Sequence, residues 1–103
     1  MQTEKKKYLS HYLLQEARIN RLYEMIRINP SRKAEYETKI LNCKKLREDI
    51  EEKISQVDDQ LLCELLYQKY ILGKTLEDIA IILNYSKRHI ERLHIKALEK
   101  FKM

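Results

Sequence analysis

One proline and one glycine in 103 residues leave this chain almost nowhere to turn tightly. Sheets return on themselves every few residues, and glycine, proline and asparagine supply the backbone conformations those returns need. A β-rich or α/β chain is therefore not expected, and the fold class expected is all-α. The two exceptions mark boundaries. Pro30 steers Asn29 out of the helical region and ends a first helix expected over 3–28. Asn29 or Ser31 can cap a second, expected over 31–57. Gly73 stands where a third helix, expected over 59–71 with Asp58 as its cap, wants a residue that takes positive φ at no cost.

The first two helices carry seven-residue repeats. In helix one, Leu9, Tyr12, Glu16, Ile19, Tyr23 and Ile26 alternate steps of three and four, and Tyr8, Leu13, Leu22 and Met25 widen the apolar face. In helix two the stripe is Tyr36, Ile40, Cys43, Arg47, Ile50, Ile54 and Val57, with Lys and Glu dense elsewhere. Each helix is about 40 Å long. The short Asn-Pro-Ser turn favours a coiled-coil-like antiparallel hairpin over 1–57, with apolar surface left for a further partner.

Residues 58–103 read as a three-helix unit ending in a helix-turn-helix. Leu76, Ile79, Ala80 and Leu83 share one face; Ile90, Leu93, His94, Ala97, Leu98 and Phe101 share another. Between them lies Asn84-Tyr85-Ser86. Asn tolerates the left-handed exit from a helix, Tyr85 is bulky enough to plug the corner, and Ser86 can cap the last helix. Small Ala80 permits a close helix crossing. Thr75 caps the first helix of the motif, and Glu77 and Asp78 suit its dipole.

The net charge of +5 matters less than its placement. From Ser86 onward, Lys87, Arg88, Arg92, Lys96, Lys100 and Lys102 face only Glu91 and Glu99. Lys87, Arg88 and His89 fill the first turn of the last helix, where the dipole disfavours cations. A broken local rule without local gain points to function. The N-terminal end of such a helix enters the major groove of DNA. Other chemistries are poorly served. His89 and His94 point to different faces, His11 is alone, and one glycine cannot build a phosphate loop. Neither a metal, a cofactor nor an enzyme activity is expected. Cys43 and Cys63 read as reduced, buried thiols. No apolar run approaches the ~18 residues of a membrane span, so a cytoplasmic protein with no membrane partner is expected.

The stretch from Leu66 to Phe101 resembles region four of bacterial sigma factors, the helix-turn-helix that reads the upstream promoter element. Tyr70-Ile71-x-Gly73, Ile79-Ala80, Ser86 and Ala97-Leu98 carry the resemblance. Asn84-Tyr85-Ser86 with Leu93-His94 and Ala97-Leu98, behind a leading Tyr8-Leu9-x-x-Tyr12 helix, is similar to small phage-encoded late-transcription regulators of the ArpU and RinA type. The resemblance places base and phosphate contacts on Ser86, Lys87, Arg88, His89, Glu91 and Arg92. Arg88 stands where sigma factors usually carry an acid and Glu91 where they carry a base, so the standard promoter hexamer is not implied. The whole expected DNA-binding set is Thr75, Ser86, Lys87, Arg88, His89, Glu91, Arg92 and Lys96.

The function expected is sequence-specific regulation of transcription on double-stranded DNA, activating phage or prophage late genes. One motif offers little surface for specific affinity, so the hairpin is expected to form a homodimer or to contact host RNA polymerase. Two alternatives stay open: a DNA-packaging recognition subunit like a small terminase, and a coiled-coil adaptor that binds polymerase or sigma without touching DNA. Ile81 and Ile95, which the motif's core does not need, speak for the adaptor.

Overall fold

The structure, a computed structural model, describes residues 2–103. Every regular element in it is helical, as the scarcity of turn residues requires. α1 (Thr3–Ile28) and α2 (Lys33–Ser55) form the hairpin; α3 (Gln60–Leu66) runs on into a π-helical turn (Tyr67–Ile71); α4 (Leu76–Leu83) and α5 (Lys87–Lys100) complete the chain. No helix of the described residues is long and apolar enough to cross a membrane.

The turn of the hairpin differs in detail from expectation. Neither Asn29 nor Ser31 caps α2; Ser31 Oγ donates instead to Asn29 Oδ1 at 2.7 Å. A 3₁₀ turn over Pro30–Arg32 leads into the helix, with proline at its first position. There the ring pre-sets φ and the missing N–H would have gone unpaired anyway.

The stripe of α2 is buried as its repeat demands: Tyr36, Ile40, Cys43, Ile50 and Ile54; the helix ends at Ser55, two residues short of expectation, and Val57 is buried just beyond it. Arg47, the polar member, pairs with Glu16 across the hairpin. On α1 the seam shifts by one residue. Leu9, Tyr12, Gln15, Ile19 and Leu22 are buried, whereas Glu16 lies at the flank and Tyr23 is half exposed beside Lys44. The buried steps of three, three, four and three fall short of a 3.5 repeat, so the seam winds across α1 toward its i+3 row where α2 packs on it. This winding exchanges a carboxylate and a phenol for an amide and a leucine in the seam. Gln15 Oε1 is left buried with no partner.

Asp59, one residue later than expected, caps α3: its side chain accepts from Leu62 N–H at 3.1 Å. Asp59 has the extended backbone a cap needs. The helix then widens, with Leu72 N–H bonding Tyr67 O at 3.0 Å. It closes through Gly73 at φ +72, and Lys74 N–H reaches back to Gln68 O.

Three apolar clusters run along the described residues. The distal hairpin is filled by Ile19, Leu22, Tyr36, Ile40 and Cys43. The helix-turn-helix has its own cluster of Leu65, Ile79, Ala80 and Ile90. Between them, Leu9, Tyr12, Ile50 and Ile54 from the hairpin pack with Leu66, Tyr70, Leu98 and Phe101. The chain boundary near Asp58 thus runs through one continuous core. Lys5 fastens the same junction: its ammonium donates to Leu98 O at 2.8 Å, a cation on the carbonyl end of α5.

Candidate nucleic-acid interface

The motif is assembled by its caps. α4 begins at Thr75, whose Oγ1 accepts from Asp78 N–H at 3.1 Å. It ends at Asn84, the only non-glycine residue with positive φ among the described residues (φ 60, ψ 46). Tyr85 N–H then reaches back to Ala80 O at 2.9 Å. Ser86, in extended backbone, opens α5 by accepting from His89 N–H at 3.1 Å. The corner is filled by Ile90 and Leu83 rather than Tyr85. Tyr85 is largely outside, its ring 4.9 Å from that of His89. Its hydroxyl keeps it wet where an aliphatic side chain can be buried freely.

α5 divides into two faces. Ile90, His94, Ala97 and Leu98 are buried; Arg88, Glu91, Arg92, Ile95, Lys96 and Glu99 are exposed. Of the expected contact residues, Arg88, Glu91, Arg92 and Lys96 therefore gather on one outward side, His89 is half-buried, and the rest carry two qualifications. Ser86 and Thr75 each already accept one bond in a cap, which leaves the O–H free to donate to a ligand. Lys87 is held by Glu77 of α4 at 3.1 Å, and this bond raises its pKa further. The dipole conflict at Lys87 is thus met by a local counterion, and it survives at Arg88. Among the described residues no carboxylate lies within ion-pair distance of Arg88, Arg92 or Lys96.

The inner face is fixed by a buried polar pair. Tyr70 Oη and His94 Nε2 lie 2.7 Å apart between the π-turn and α5. Burial pushes the phenol up to about 12 and, with Lys69 and Lys6 nearby, drops the imidazole to about 4. A phenol O–H donating to a neutral ring nitrogen satisfies both. The π-turn sits where Tyr70 must reach inward.

Two further cations adjoin the motif. Lys69 and Lys74 line a groove with Thr75, Lys87 and its partner Glu77, walled on the far side by Ser10 and Leu13 of α1. Lys74 is signalled in the sequence by its place directly before the Thr75 cap. Nothing in the pattern signals Lys69, or the approach of Leu13 to Gly73, because both depend on how the hairpin docks. Among the described residues no cluster of His, Cys, Asp or Glu is arranged to hold a metal. The chain matches no family model, curated protein or solved structure with which it was compared.

Proposed function

We propose that this protein binds double-stranded DNA sequence-specifically and regulates transcription, in the manner of the phage or prophage late-gene activators its motif resembles. The observation that carries this reading is the outward face of α5. Arg88, Arg92 and Lys96 are exposed there without counterions, on a helix whose entry is fixed by a left-handed Asn84 and a Ser86 cap. Laid in the major groove, α5 brings Arg88 to base edges, and its planar fork matches the two acceptors of guanine. Lys96 lies more than two turns on and meets backbone phosphates. The groove lysines Lys69 and Lys74 extend the cationic surface toward the flanking strand. Half-exposed Tyr23 and Leu41 on the hairpin give a second copy, or host RNA polymerase, an apolar place to dock.

A second reading has its own observation. Ile81 and Ile82 of α4 are exposed, Ile81 by 79%. An adaptor that binds polymerase through this helix and never touches DNA accounts for them directly.

Selection of bound fragments from the source genome in vitro, together with a salt titration, separates the readings. The expected result is enrichment of a promoter-proximal site and a log–log salt slope of roughly −4 to −5, from about five phosphate contacts. Enrichment of a packaging locus instead points to a DNA-packaging recognition subunit. Absence of any enriched fragment overturns the DNA reading and leaves the adaptor.

A further inference from the structure

One side chain on the outward face of α5 differs in kind from its neighbours. Ile95 is 53% exposed. At helical spacing it is flanked by Arg88, Glu91, Arg92 and Glu99, all exposed and charged. A single exposed isoleucine is ordinary. This one replaces the Lys, Glu or Arg that would serve a solvated helix face better, since a β-branched side chain is a poorer helix former.

The surroundings restrict what can cover it. An apolar protein surface pressed onto Ile95 would also take the four charged side chains out of water, at high cost unless each met its own partner. The major groove offers a different mixture. It presents acceptors and phosphates to the arginines and, at each thymine, a lone methyl group. That methyl projects toward the backbone edge of the groove, where a residue in the third turn of α5 arrives after Arg88 and Arg92.

We propose that Ile95 packs on the 5-methyl group of a thymine in the bound site and so selects thymine over cytosine at that position. The inference rests on the DNA reading above and adds a base preference to one named residue. Its test is a methyl deletion on both partners. A duplex enriched from a random pool by the full-length protein is compared with copies in which each thymine in turn is uracil, using wild type and Ile95→Ala. Wild type is expected to lose about fourfold in affinity at one thymine, the worth of one buried methyl-sized group. Ile95→Ala is expected to bind the thymine and uracil duplexes alike, with an unchanged thermal melt. Equal losses in both proteins, or no loss in wild type at any thymine, overturn the inference while leaving DNA binding standing. If the pool yields no enriched duplex, the DNA reading falls and this inference with it.

Discussion

Arg88 and Lys96 share the exposed face of α5 but have different work in the proposed complex. Arg88→Ala is expected to cost about 1–3 kcal/mol on the selected duplex, much less on a scrambled one, and to relax preference at one position. Lys96→Ala is expected to weaken both duplexes alike and flatten the salt slope by about one. Titration of both variants against both duplexes decides it; an equal loss for Arg88→Ala on the two would make Arg88 a backbone clamp. His94 is the residue through which acid reaches the fold. Its folded pKa, about 4, lies below the unfolded value, so the neutral ring is favoured by folding. That contribution is complete above about pH 6.5 and disappears as pH falls toward 4, on the order of 2–3 kcal/mol in all. An imidazole NMR titration should find His94 still neutral at pH 5.5; protonation near pH 6.5 would show that its burial is not felt. Gln15 carries a stability defect of a different sort. With Oε1 buried and unpaired, Gln15→Leu is expected to stabilise by about 1–2 kcal/mol, and a denaturant midpoint that fails to rise would mean the amide finds a partner in solution.

At the scale of elements, the fragment 58–103 is expected to be unstable by itself. Leu66, Tyr70, Leu98 and Phe101 owe their burial partly to Leu9, Tyr12, Ile50 and Ile54. Exposing even a few such side chains costs about 1.5–3 kcal/mol each, against a total stability of roughly 5–15. Circular dichroism should show no cooperative melt for the fragment; a transition matching that of the full chain would mean the motif needs no hairpin. Legibility in the sequence tracks the range of the interactions. The α2 stripe, the left-handed Asn84, Gly73 and the Thr75 and Ser86 caps depend on residues within a turn or two, and all stand where the pattern places them. The departures involve distance or competition. Gln15 displaces Glu16 because the path of the seam across α1 is settled only against the partner helix. Asp59 displaces Asp58 because two adjacent aspartates look alike without backbone angles. The π-turn answers to Tyr70 and His94, 24 residues apart, which no local window contains. The outward gathering of the α5 cations is legible in the sequence, but the Glu77 counterion to Lys87 is not.

For the molecule as a whole, size argues for company. The chain, 52 × 25 × 22 Å, carries one recognition helix, which offers little surface for specific affinity. A dimer through the hairpin is the expected answer. Sedimentation at about 50 µM, enough to fill an interface of micromolar Kd, should report twice the chain mass. A monomer there would assign the exposed Tyr23 and Leu41 to another partner. The junction that binds hairpin to motif also has a consequence in time. Tyr8 and Phe101 stack with ring centroids 6.0 Å apart, although they stand at opposite ends of the chain. At a synthesis rate of about 5–20 residues per second, Ser55, the last residue of α2, is made roughly 2–9 s before Phe101. The hairpin can zip as soon as α2 emerges, but its open end keeps an uncovered apolar mouth throughout that interval, and a nascent chain stalled there would be the form most in need of a chaperone.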